Sequence, residues 1–194
     1  MECSSEPLTP QEWKKLHLHL DQEICRDMIP RHYNCEKGEG CIQPQGTEPP
    51  YEIYANFHAA NPGQKVTVTL NVTGDLPVRG VVVQAHSYRP GVNGKEPLGY
   101  FLKPSSESTE VTTFLETCPG GYANNNTLFM YSQFGVRQLN FTWVAPEQPD
   151  MGILDIHFWM TTVFKYDTFW VNQMQTQPYG LVILGQTGEI IVVP

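Results

Sequence analysis

The sequence predicts an all-β fold, a sandwich or barrel of short antiparallel strands, with an N-terminal helix before it and a C-terminal hairpin after it. Two observations carry this. From Tyr51 to Asn172 the chain consists of short runs in which Val, Thr, Tyr, Phe and Trp alternate with polar residues, the period-2 pattern of half-buried strands. The runs are separated by turn chemistry, at Asn61-Pro62-Gly63, Val92-Asn93-Gly94-Lys95 and Pro149-Asp150-Met151-Gly152. No repeat of fixed period is visible, which sets aside solenoids and propellers.

Residues 9–28 are expected to form the helix. Thr9 caps it, Pro10 occupies the first helical position and Glu12 reciprocates three residues after the cap. Trp13, Leu16, Leu20 and Ile24 then recur at helical spacing as one apolar stripe, and Pro30 ends the element. Residues 31–50, rich in Gly, Pro and polar residues, read as a loop in which Cys35 and Cys41 flank Glu36-Lys37-Gly38-Glu39-Gly40, so a local bridge can close it. Strands are expected at 51–57, 64–72, 80–87, 98–103, 109–117, 127–132, 136–144, 153–164 and 168–172. Beyond a polar stretch, Leu181 to Leu184 and Glu189 to Val193 around Gly185-Gln186-Thr187-Gly188 read as the terminal hairpin. Two such apolar runs with a single charge need cover, either from an edge of their own sandwich or from another chain.

A length of 194 residues suits one domain. Twelve Lys and Arg against twenty Asp and Glu give a net charge of -8, which argues against nucleic acid and anionic bilayers as partners. No stretch approaches the roughly 20 apolar residues of a membrane span. The first ten residues have neither the basic nor the apolar region of a signal peptide, so any such peptide is read as already removed. The five cysteines show no zinc-finger spacing, which favours disulfides. Sequons at Asn71-Val72-Thr73, Asn125-Asn126-Thr127 and Asn140-Phe141-Thr142 add to the case for an extracellular, glycosylated chain. Strand phase supports two of them: Val66, Val68, Leu70 and Val72 leave Asn71 on the opposite, wet face, and Leu139, Phe141 and Trp143 do the same for Asn140.

Candidate chemistry is sparse. His17 and His19, two apart on a helix, point to nearly opposite sides and cannot chelate one ion. His157 falls out of phase with Leu154, Ile156, Phe158 and Met160, which predicts an outward histidine; a site formed with Asp155 is the sharper alternative. Trp143 and Trp13 are in phase with apolar neighbours and read as packing, whereas Trp159 is expected outward beside His157, making the two the candidate contact surface. The chain contains no G-x-S-x-G, H-E-x-x-H, P-loop or G-x-G-x-x-G. These patterns assign no catalytic residue, no metal site and no cofactor.

Cys25-Arg26-Asp27-Met28-Ile29-Pro30-Arg31-His32 resembles the opening motif of the reelin-type (Reeler) domain of extracellular matrix proteins and small secreted insect defence proteins. Pro50-Tyr51, Pro62-Gly63 with Val66, Val68 and Leu70, and Gly80 to Ala85 are similar to the family's next signposts. Pro97-Leu98-Gly99-Tyr100-Phe101, Cys118, Phe141 to Pro146, Gly152 and Phe169-Trp170-Val171 follow in order. The resemblance covers residues 25–172 and departs from the family at His86, where Arg is usual, and in the segment 35–41. It implies an immunoglobulin-like antiparallel β-sandwich, a non-enzymatic protein with no catalytic apparatus, and a Cys25–Cys118 disulfide; with a Cys35–Cys41 bridge beside it, Cys3 is left as a free or intermolecular thiol. The division it suggests is a helical extension at 1–24, the sandwich at 25–172 and a hairpin tail at 173–194. Two functions follow as expectations. One is a secreted module that binds an extracellular protein or glycan ligand in innate defence or adhesion. The other is a self-assembling structural protein, a homo-oligomer built through the tail and the spare cysteine. A ferric reductase of the kind that carries Reeler domains would need a haem domain and membrane helices besides.

Overall fold

The computed structural model describes residues 22–30, 43–87, 96–104, 111–121, 123–147, 154–165, 167–174 and 181–183. Helix α1 spans Gln22–Asp27; the rest of the helix expected from residue 9 lies outside the described residues. It stops because Met28 takes a left-handed φ of 55°, its N–H donating to the Ile24 carbonyl, while the Asp27 carboxylate accepts from the Ile29 N–H. Such a conformation costs roughly 1–2 kcal/mol in a non-glycine residue. The Met28 side chain is buried, which offsets that cost, and Pro30 prevents any continuation.

The strands form two facing sheets. The first contains β1 (Tyr51–Ala55), β3 (Lys65–Val72), β8 (Gln138–Val144) and β5 (Tyr100–Leu102), in the order β1-β3-β8-β5. The second contains β2 (Ala59–Ala60), β11 (Leu181–Ile183), β9 (Leu154–Lys165), β4 (Val78–Ser87), β7 (Thr127–Val136) and β6 (Val111–Glu116), in that order, with β10 (Thr168–Met174) also paired to β9. Every pairing is antiparallel except that of β11 with β2. The fold is thus the expected all-β sandwich.

Alternation puts Val66, Val68 and Leu70 of β3 and Phe141 and Trp143 of β8 inside, facing Val81, Val83 and Ala85 of β4 and Ile156, Phe158 and Met160 of β9. The sheets are joined through the Trp143 and Phe158 rings, edge to face at 5.3 Å. The Trp143 indole N–H donates to the Leu98 carbonyl at 2.9 Å, which satisfies its polar edge inside the core. Gly99, at φ 63°, permits this: a Cβ there would run into the Val144 carbonyl and the Trp143 ring. Each fully buried large side chain contributes on the order of 1.5–3 kcal/mol.

Three features were not contained in the sequence reading. The expected strands 127–132 and 136–144 are β7 and β8, which belong to different sheets. The chain changes sheets across Arg137, whose guanidinium donates to the Gly74 and Asp75 carbonyls. Second, the two-residue β2 was not anticipated. Third, the tail enters the seven-stranded sheet as β11, antiparallel to β9 and parallel to β2, where a hairpin was expected; residues 189–193 lie outside the described residues. β10 runs past residue 172 to Met174.

Candidate functional site

The outer face of the seven-stranded sheet carries a buried polar network. On β4, Val83 and Ala85 point to the core, so Gln84 and His86 point away from it. Strand register places Trp159 beside Gln84 and His157 directly opposite His86, and puts Thr127 of β7 on the other flank of Gln84. Gln84 is 1% exposed. Its amide donates to Thr127 Oγ1 at 2.9 Å and to the Cys25 carbonyl at 3.1 Å, and lies 3.5 Å from Cys118 Sγ. Its carbonyl oxygen meets His86 Nε2 at 2.9 Å, which assigns the proton there to the histidine.

Cys25 and Cys118 are joined by a disulfide with Cα atoms 5.3 Å apart, the pairing that the family resemblance implied. Asn126, fully buried, holds the far end: its Oδ1 accepts from the Cys118 N–H and the Thr127 hydroxyl, and its Nδ2 donates to the Cys118 carbonyl. Bridge, Gln84, Asn126 and Thr127 therefore form one connected unit that clamps the end of α1 to the sheet. Cys3, Cys35 and Cys41 lie outside the described residues, as do His17 and His19.

The expectation of an outward His157 is corrected. It is 8% exposed, with Nε2 at 3.2 Å from Asp155 Oδ1. Trp159 is half-buried, its ring edge-on to His86 at 6.5 Å. The alternation was read correctly, but the face it assigned to solvent is covered, and Gln84 bonded to Cys25 shows the disulfide-held segment lying over it. No group of three His, Cys, Asp or Glu able to hold a metal occurs among the described residues, and none of their helices is long and apolar enough to cross a membrane. Tyr51, 2% exposed in the core, has its phenol pushed up by burial, slightly opposed by Thr162, so it stays neutral.

The sequons sit elsewhere. Asn140 is exposed and Asn71 half-buried, both on the outer face of the four-stranded sheet, and Asn125 is exposed in a loop at φ 58°. At one end of the sandwich the segment before β4 meets the β7–β8 crossing, where Pro77 packs on Gly135. Leu76 and Phe134 flank that contact with 38% and 66% of their surface exposed. Reading the sequence missed Phe134, Gln84 and Asn126. Gln84 did carry a signal, as the one polar side chain in Val81-Val82-Val83-Gln84-Ala85.

The Reeler domain model matches residues 23–179. A Danio rerio protein named ferric-chelate reductase 1 is 28% identical over 153 residues, 79% of this chain but only 23% of that protein. An Antheraea mylitta protein named defense protein 1 is 27% identical over 155 residues, 78% of this chain and 79% of that protein. The human F-spondin reeler domain superposes with a TM-score of 0.52 at 14% identity, covering 79% of this chain and 99% of the other, a likeness of fold. With the family model spanning well over half of its length, from the helix that bears Cys25 to the approach to β11, this chain belongs to the Reeler domain family.

Proposed function

We propose that the chain is an extracellular, non-enzymatic recognition module that binds a protein or glycan ligand in innate defence. The observation that carries this reading is the exposed apolar pair Leu76 and Phe134, held on a rigid end of the sandwich by the Arg137 and Gly135 contacts. Burying a large aromatic on a partner is a common source of binding energy, and here the aromatic is already presented on ordered strands. The opposite candidate surface, His157 with Trp159, is largely closed. Defence is favoured over adhesion because the Antheraea mylitta relative is matched over most of its own length, so a module of this size accounts for most of such a protein. The reductase relative is matched over a minor part, which supports leaving electron transfer to its remainder. Self-assembly through the tail loses support because β11 already has a neighbour on each side in its own chain.

The test is binding of the purified chain to Gram-negative and Gram-positive cells, their isolated envelope glycans and matrix proteins, beside a Leu76→Ser/Phe134→Ser variant. Saturable binding to bacterial surfaces, lost in a variant of unchanged stability, is expected. Binding to matrix proteins alone would move the role to adhesion. Binding that survives the double substitution would displace the site, and reduction of a ferric chelate by the chain itself would overturn the non-enzymatic assignment.

A further inference from the structure

The outer face of the four-stranded sheet holds a groove of about 450 Å3 whose lining includes Lys65, Leu102, Lys103, Pro104, Asn140 and Thr142. We propose that this groove is the seat of an N-linked glycan on Asn140, which makes this face of the sandwich a glycan-covered face closed to protein partners. The inference rests on the extracellular reading above.

Three independent features converge. Asn140 and Thr142, two apart on a strand, share one side of β8, and the sequon's asparagine is exposed. Thr69 lies directly opposite on β3 and donates its hydroxyl to Asn140 Oδ1 at 2.8 Å. That bond fixes the carboxamide by its oxygen, and the oxygen is the atom glycosylation leaves unchanged. In the transfer, Nδ2 gives up one proton and forms a bond to the anomeric carbon of a lipid-pyrophosphate-linked oligosaccharide. The bond from that carbon to the pyrophosphate breaks, and the lipid pyrophosphate leaves. The Thr69 bond therefore survives the modification and holds the linkage in one orientation.

The groove suits the first sugars in size and chemistry. Its volume lies within the roughly 300–1,000 Å3 typical of small-ligand sites. Leu102 and Pro104 offer apolar surface to a sugar ring, and the Lys65 and Lys103 ammoniums are donors for its hydroxyl and acetamido oxygens. Asn71, opposite Gln138, is the diagonal neighbour of Asn140, so a second glycan would emerge about 7–8 Å away and extend the same cover. Asn125 differs. Its sequon hydroxyl, on Thr127, is fully buried and committed to Gln84 and Asn126.

The full chain, produced with a signal peptide in a eukaryotic secretory host, is digested for site occupancy at the three sequons. It is also treated intact with an amine-acetylating reagent beside a Thr142→Ala variant, which removes the sequon but keeps Asn140. The expected result is an occupied Asn140, with Lys65 and Lys103 acetylated several-fold more slowly in the glycosylated chain than in the variant and exposed Lys165 unchanged. Equal rates at Lys65 and Lys103 would overturn the seat. An unoccupied Asn140 would overturn the proposal altogether. Because the host's signal peptide delivers the chain to the lumen, either failure leaves the extracellular reading standing. That reading is decided by the mass shift on deglycosylating the protein isolated from its own source.

Discussion

Replacing Gln84 by Leu keeps the side chain's volume and removes its polar end, which isolates the contribution of the network under α1. Three good hydrogen bonds go, to Thr127, to the Cys25 carbonyl and from His86; the 3.5 Å approach to Cys118 sulfur is too weak to count. A net bond is worth about 1 kcal/mol, and a buried group left without its partner costs about 1–3 kcal/mol. Thr127 keeps Asn126 as a partner, so the Cys25 carbonyl is the acceptor most exposed to that penalty. The apolar gain of a buried Leu, up to roughly 2 kcal/mol, offsets part of the loss. The expected net destabilisation is about 2–4 kcal/mol, read by urea unfolding under non-reducing conditions with tryptophan fluorescence. A cycle with Thr127→Val should show a coupling of at least about 0.5 kcal/mol between the two sites. A loss below about 0.5 kcal/mol, the range of ordinary surface substitutions, together with additive effects in the cycle would refute the claim that Gln84 joins the disulfide to the sheet.

Three further outcomes are expected. Peptide mapping without reduction should recover a Cys25–Cys118 peptide, and the Cys25→Ala/Cys118→Ala variant should lose about 4–5 kcal/mol in denaturant unfolding, since the bridge closes a separation of 93 residues. Gly99→Ala should lose at least about 3 kcal/mol or fail to fold, because the added methyl meets both a backbone carbonyl and the Trp143 ring at a positive φ; wild-type stability there would contradict the close approach. Truncation after Gln177 removes β11 and should lower thermal stability while leaving the hydrodynamic mass that of one chain; an oligomer that dissolves into a monomer of unchanged stability would instead place the tail strand between subunits.

Strand positions were legible because one face of each strand is core, and the resulting alternation marks its limits to within a few residues, as at Lys65–Val72 and Leu154–Lys165. Ala59–Ala60 was not legible, since two small residues have no period to read. Sheet membership was also hidden: β7 and β8 alternate alike, and only the Arg137 contacts with residues 74 and 75 show where the chain crosses. For the candidate site, phase placed His157 and Trp159 on the outer face correctly. It could not report that this face is covered, because the cover is tied down through Cys25, far away along the chain. The exposure of Phe134 follows from the bulge in β7 between Tyr131 and Val136, where Gly135 takes a φ of 81°, and has no signature in hydropathy.

The position of β11 also governs the order in which the fold can be completed. Ala59 has Val182 as its partner in the sheet, so β2 has no strand to join until every strand from β3 to β10 has been made. Until then β9 presents the backbone opposite Leu154 to Ile156 without its neighbour, an open template on a nascent chain that has otherwise formed its core. Closure by a strand this distant makes the sealing of the sheet wait on the synthesis of β11. A released chain cut short before Leu181 would therefore carry one adhesive edge on an otherwise complete sandwich, a species exposed to aggregation.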